Sequence, residues 1–246
     1  MLQGLRTARG VMRSLGVYYG HRRRAAAMDR LYAEFVRSGD LVFDIGAHVG
    51  DRIAAFRRLG ARVLAVEPQP ALVTTLKWLY RRDDNVAIEP KAVGRNAGTV
   101  AMKINVDNPT VSTVSEAFVD AARGASGWEE QIWEKSIDVP MTTLDALIAA
   151  HGRPAFIKID VEGYEEEALA GLTRPVAALS FEFTTIQRAV ARAGIARCVA
   201  LGYARFNAAL GETQELGEWR SAGDMTRWIE ALPHAANSGD VYARLS

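Results

Sequence analysis

Two short apolar runs, Val42 to Ile45 and Val63 to Val66, each carry a carboxylate at the C-terminal end: Asp44 in the first, and Glu67 directly after the second, 23 positions on. Between them lies Asp44-x-Gly46-x-x-x-Gly50, followed by a helix-like stretch that opens near Asp51. Glycines at these points let the backbone turn sharply or let a ligand approach where a β-carbon would block it. The free N–H groups of the helix face that turn, an arrangement that dinucleotide folds use to hold a pyrophosphate. The match fails here. A G-x-G-x-x-G frame from Gly46 would need glycine at His48 and Asp51, two acids would repel a phosphate, and no Lys-Ser or Lys-Thr pair of a Walker A loop follows. Paired carboxylates suit a ligand with positive charge or several hydroxyl donors instead.

The spacing sharpens this. A strand-end acid about 20 residues after the first turn grips ribose hydroxyls in nucleotide-binding α/β units, so Glu67 is expected to hold a ribose. S-adenosylmethionine, an adenosine with a cationic amino-acid tail, meets every demand without a phosphate. A second acidic group stands in "KIDVEGYEEE": Asp160 ends a run expected to lie beside the first strand and to face the crevice at the strands' carboxyl ends. Glu162 follows in the turn, and Glu182 sits between Phe181 and Phe183, where an acid must be paired or poised at a site. Glu165, Glu166 and Glu167 fit a helix first turn and read as scaffold. Lys158, mid-strand, receives no role. In methyl transfer to oxygen, alignment reaches effective molarities of ~10⁵–10⁸ M, whereas a general base adds ~10²–10⁴-fold. Asp160 is therefore expected to orient or deprotonate an acceptor hydroxyl, assisted by Glu162 or Glu182.

These residues need elements to hold them, and β-rich runs alternating with helix-period segments predict a parallel sheet with helices on its faces. Strands are expected at Val42 to Ile45, Val63 to Val66 and from Val86, with a fourth, alternating strand from Thr99; "AFIKID", "AALSFEF", "YARFN" and "DVYAR" supply the rest. Ile53, Phe56 and Leu59 mark one helix, which stops at Gly60, and Pro70 opens the next. Asn105 to Ser136 breaks the pattern and reads as loop or short helices folded over a site. Phe118, Trp128 and Trp133 in it are either stacking surfaces for an acceptor or packing anchors. Ser112 and Thr113 are candidate polar contacts.

The chain has 246 residues, 49% of them apolar, enough for one sizeable core. The expected division is a helical lead-in over 1–37 and a single domain over 38–246, with a substrate-covering insert at about 105–136. Basic and acidic residues balance at 30 to 29, so no overall field draws the chain to nucleic acid. Arg6, Arg9, Arg13, Arg22, Arg23 and Arg24 all precede the first acid, Asp29, and read as a solvated amphipathic helix, with a membrane-surface anchor as the lesser reading. No apolar run nears the ~20 residues of a membrane span. A soluble, cytoplasmic protein is expected. Cys198 is the single cysteine and the histidines are isolated, so no metal set is assigned; carboxylates are the only donors left for one.

"FDIGAHVGD", "AVEPQP", "KAVG", "VPMTTLDAL" and above all "IKIDVEGYEEEALAGL" with "FEF" resemble the FkbM-type S-adenosylmethionine-dependent methyltransferases over about residues 38 to 185. The resemblance implies a class I methyltransferase fold: a Rossmann-like, doubly wound α/β sheet of seven mostly parallel strands, the last antiparallel. It implies methyl transfer to a hydroxyl of a saccharide or secondary metabolite. By position, Asp44, Gly46 and Gly50 would shape the methionine side, with Ala47, His48 and Asp51 in the same turn. Glu67, next to Pro68, would hold the ribose, and Ala92 and Val93 would border the adenine. His48 replaces the asparagine common there; it could touch the cofactor carboxylate, act as a base, or donate to a turn carbonyl. Two other classes remain open: a NAD-dependent oxidoreductase, which would share Glu67, and a non-catalytic interaction module retaining the fold.

Overall fold

Apolar β-branched runs separated by glycine turns become strands, and the segments between them carry one-sided apolar stripes that must lie on the sheet. The computed structural model describes residues 2–19 and 22–246. In chain order, the strands among these residues are β1 (Leu41–Ile45), β2 (Arg62–Val66), β3 (Val86–Glu89), β4 (Ala92–Val93), β5 (Gly98–Ile104) and β6 (Lys135–Thr142). They continue with β7 (Phe156–Ile159), β8 (Ala178–Thr184), β9 (Arg205–Leu210) and β10 (Ser238–Arg244). The helices are α1 (Leu2–Tyr19), α2 (Arg22–Tyr32), α3 (Asp51–Arg58), α4 (Pro70–Leu79), α5 (Glu116–Ala122), α6 (Leu144–His151), α7 (Glu165–Ala170), α8 (Arg188–Ala200) and α9 (Ala222–Ala231).

The main sheet runs β3-β2-β1-β7-β8-β10-β9. β10, last in the chain, is antiparallel to both neighbours, and the pairings from β3 through β8 are parallel. The chain leaves β1 in one direction through β2 and β3, then returns to place β7 on the other side of β1. That reversal opens a crevice between the carboxyl ends of β1 and β7, where doubly wound sheets bind ligands.

Helices cover both faces. One carries Phe43, Ile45, Ile157, Ile159, Leu179 and Phe181 against buried side chains of α6 to α9, including Leu147, Leu169, Ile195, Cys198 and Ile229. On the other, Val42, Val63 and Phe156 meet Met28 and Leu31 of α2 and Ile53 and Phe56 of α3. Here an aromatic cluster fixes α2 and the residues just after it: the Tyr32 and Phe56 rings lie 4.5 Å apart, and Phe35 stacks on Phe156 and Tyr242 at 5.1 and 5.4 Å. Such pairs contribute about 0.5–1.5 kcal/mol each beyond area burial. The two-residue period puts Asp44, Lys158, Glu182 and Asp240 on this second face, near the crevice. No helix among the described residues is long and apolar enough to cross a membrane.

The strand expected from Thr99 forms as β5, but outside the main sheet. It pairs antiparallel with β6, which pairs parallel with β4, in a separate three-stranded sheet. Most β5 residues are exposed or half-buried, unlike a strand buried between two helical layers. The irregular segment leaves this hairpin and holds a short 3-10 turn at Pro109–Val111 and α5. Its aromatic residues pack on one another: Phe118 meets Trp128 and Trp133 edge-on at 5.3 and 6.2 Å, and Trp133 Nε1 donates to the Val111 carbonyl. They are packing anchors. The basic lead-in is tied to the body at two points and otherwise solvated. Arg6 pairs with Asp107 and Glu134, and Arg24 with Asp51 and Glu212, while Arg9, Arg13 and Arg23 are exposed; Arg22 and His21 fall outside the described side chains.

Candidate active site

The turn after β1 is built by backbone geometry that only certain residues accept. Gly46 has φ +82°, and a β-carbon there would run into the carbonyl oxygen of Asp160, so the turns after β1 and β7 close on each other only through glycine. The Gly46 and Ala47 N–H groups both donate to the Val66 carbonyl, at 2.8 and 3.1 Å, which ties this turn to the end of β2. Glu67 is 2% exposed, and its two carboxylate oxygens each accept a backbone N–H, from His48 at 2.9 Å and Gln69 at 2.8 Å. The carboxylate is thus held in one orientation, with lone pairs left over for hydroxyl donors. Burial pushes its pKa up to about 7 against the pull of those N–H groups.

Asp44 is also 2% exposed, and its Oδ2 has no hydrogen-bond partner. Burial, with Asp51 and Asp160 nearby, raises its pKa to about 7, while Arg52 and Lys158 oppose the rise. A buried polar atom without a partner is costly unless a ligand completes it. Asp51 is already engaged, 2.5 Å from Arg52 and 3.4 Å from Arg24. His48, at φ +48°, sets its ring Nε2 3.3 Å from Thr110 Oγ1. Burial lowers its pKa to about 4, so the imidazole is neutral near pH 7 and is a weak base.

Asp160, Glu162 and Glu182 converge beside this turn, with one carboxylate oxygen from each within 4.8 Å of the others. Lys158, 1% exposed, reaches Asp160 Oδ2 at 3.1 Å and Asp240 Oδ1 at 2.7 Å. Burial disfavours the Asp160 charge, but Lys158 and Arg52 outweigh it and hold the pKa below the ordinary value. Burial and the neighbouring acids push Glu162 and Glu182 well above theirs. Glu162 sits at φ +53°, its carbonyl fixed by Thr113 Oγ1 at 2.7 Å. Glu165 braces the same turn by accepting from the Val161 and Gly163 N–H groups, as a scaffold residue would.

One cleft joins these groups, lined by both turns, by Ala92 and Val93 of β4, by Thr110, Ser112 and Thr113 of the insert, and by Arg52, Glu212 and Asp240. A family model described as "Methyltransferase FkbM domain" matches residues 44–231. The chain belongs to that methyltransferase family. The seven-stranded order with its antiparallel last strand agrees with the class I methyltransferase sheet expected for it. A curated relative, hexuronic acid methyltransferase AglP of Haloferax volcanii, is 26% identical over 164 residues, 65% of this chain. The match spans 62% of that relative's length. Among solved structures, the chain is similar to Aeropyrum pernix fibrillarin with natively bound S-adenosyl-L-methionine (11% identity, 85% of this chain, 68% of that one, TM-score 0.47). It is also similar to magnesium protoporphyrin IX methyltransferase of Synechocystis PCC 6803 (12% identity, 96% of this chain, 84% of that one, TM-score 0.46).

Of the residues the sequence nominates in this FkbM-family chain, Asp44, Gly46, Ala47, His48, Asp51, Glu67, Pro68, Ala92, Val93, Asp160, Glu162 and Glu182 all line the cleft. Gly50 does not: it precedes α3 at φ +85°, where a β-carbon would strike Leu76 and Tyr80, so it serves packing behind the turn. Lys158, Asp240, Arg52 and Thr110 were not nominated. Lys158 left a signal, since a cation inside the apolar run Phe156–Ile159 has to be paired. Asp240 left none, because its partner Lys158 is 82 positions away, and neither did Arg52, whose neighbour Asp51 is ordinary in sequence and whose other partner, Glu212, is 160 positions away.

Proposed function

We propose that this protein is an S-adenosylmethionine-dependent O-methyltransferase acting on a hydroxyl of a saccharide or related polyhydroxylated acceptor. The observation that carries the reading is the pair of buried strand-end carboxylates, Asp44 and Glu67, on a glycine turn without a phosphate fingerprint, opening onto a second carboxylate group. The donor set fits the cofactor. Glu67, both oxygens fixed by backbone N–H groups, would accept ribose hydroxyls, the unpartnered Asp44 oxygen would serve the methionine side, and Ala92 and Val93 would border the adenine. When bound, S-adenosylmethionine supplies an electrophilic methyl group on a cationic sulfur.

The chain's own residues do the rest. Asp160, kept ionised by Lys158, orients the acceptor O–H, and the proton released on transfer passes to Glu162 or Glu182, whose carboxylates burial and the neighbouring acids make more basic than Asp160. The insert covers the cleft through Thr110, Ser112 and Thr113 and keeps water from the methyl donor. The AglP relative, named for a hexuronic acid, supports a sugar acceptor. The test is turnover of labelled S-adenosylmethionine against a panel of neutral and uronic-acid glycans, with Asp160→Asn in parallel. The expected loss is about 10²–10⁴-fold in acceptor turnover with cofactor binding largely retained; unchanged turnover rejects the role of Asp160.

A further inference from the structure

The cluster gathers more carboxyl groups than the protein provides cationic partners for. Asp160, Glu162, Glu182 and Asp240 face one ammonium, that of Lys158, which is already divided between Asp160 and Asp240. Arg52, on the same cleft, is engaged by Asp51 and Glu212. Two observations beyond the acidity itself point to a ligand. Glu162 is 9% exposed, and among the described residues its hydrogen bond is made by its backbone carbonyl, with no donor on its carboxylate. Glu182 Oε2 is sealed from solvent and has no partner, although the Glu182 carboxyl group lies within hydrogen-bonding reach of Asp160. A buried carboxylate in this state is costly, and a neutral acceptor hydroxyl brings no charge to offset it.

We propose that Asp160, Glu162 and Glu182 form a divalent-cation site for Mg²⁺, Mn²⁺ or Ca²⁺, which seats an acceptor presenting two adjacent oxygens: a vicinal diol, or the hydroxyl and carboxylate of a uronic acid. The inference deepens the O-methyltransferase reading and rests on it for the acceptor. An all-oxygen donor set selects hard cations over zinc or copper. Oxygens on opposite sides of such an ion lie about 4.1 Å apart for Mg²⁺ and about 4.8 Å for Ca²⁺, and the three carboxylate oxygens fall within 4.8 Å of one another, a separation that Ca²⁺ spans and that small side-chain shifts would close around Mg²⁺. Three protein ligands leave positions for water and for a chelating acceptor, and a cation there lowers the pKa of a coordinated hydroxyl. The site lies where Thr113 of the insert meets the turn after β7, in the same cleft as the strand-end pair.

The test is calorimetric titration of chelator-treated full-length protein with MnCl₂, repeated on Glu162→Gln and Glu182→Gln, with S-adenosylmethionine titrated into the same samples. One Mn²⁺ per chain is expected, weakened about tenfold or more in each variant, with a metal-dependent rise in the wild-type Tm. Should a variant fail to fold, Mn²⁺-induced broadening of the Val161 and Gly163 amide resonances in the wild type locates the ion; no broadening there overturns the site. Absence of Mn²⁺ binding, or equal binding by wild type and both folded variants, overturns it too. If S-adenosylmethionine binds and Mn²⁺ does not, the cation site falls while the methyltransferase reading stands; Mn²⁺ binding without S-adenosylmethionine binding sinks the methyltransferase reading instead.

Discussion

In the proposed reading cofactor recognition turns on Glu67, because both of its oxygens are pre-oriented by backbone N–H groups before any ligand arrives. Charge-assisted hydrogen bonds contribute about 1.5–3 kcal/mol. Glu67→Gln is therefore expected to weaken S-adenosylmethionine binding about 10–100-fold, measured by calorimetry. Glu67 must be ionised to accept from two hydroxyls at full strength, and its pKa stands at about 7. Wild-type affinity should fall as pH drops below about 7, and Glu67→Gln should flatten that dependence. His48 is the residue at which sequence reasoning stopped short. Three roles were open for it; burial makes its neutral ring beside Thr110 a weak base, and its backbone N–H, not its side chain, holds Glu67.

At the scale of elements, the glycines of a single motif separate by what a β-carbon would meet. Gly46→Ala pushes into the Asp160 carbonyl and should abolish cofactor binding even in whatever fraction folds. Gly50→Ala pushes into Leu76 and Tyr80 behind the turn, so it should lower Tm while the folded fraction still binds. Thermal denaturation and calorimetry on both variants check this. The insert makes its own small core, and Trp128→Ala should cost roughly 3 kcal/mol of local stability. Hydrogen exchange should then show lost protection over 105–134 with β1 and β2 still protected, and acceptor turnover should fall more than cofactor affinity. β1, β2, β7, β8 and the turns between them were legible because buried parallel strands are short, apolar and bounded by glycine. The sheet membership of β5 was not: an alternating strand announces one exposed face, but not which sheet it joins.

At the scale of the molecule, the alternation of elements announced a parallel sheet and the family resemblance its seven strands with the last antiparallel, whereas the function of the basic lead-in was not legible. Arg24 and Arg52 converge on Asp51 and Glu212, residues up to 188 positions apart in the chain, and no local pattern predicts such a meeting. Asp44, Glu67 and Glu165 are all buried acids with pKa values near 7, above those of ordinary carboxylates. Between the unfolded value, about 4.3 for Glu and 3.9 for Asp, and about 7, the folded protein binds more protons than the unfolded chain, so these groups make stability rise as pH falls through 7. The ligand-free Tm should increase from pH 8 to pH 6, opposite in direction to cofactor affinity, and the slope should shrink in Glu67→Gln.

The most direct measurement of the central claim is calorimetric titration of the full chain at pH 8 with S-adenosylmethionine, its demethylated product and NAD. Saturable binding of both sulfur nucleosides, weakened by Glu67→Gln, with no response to NAD, is the predicted result. A folded protein that gives no heat with either sulfur nucleoside would contradict it.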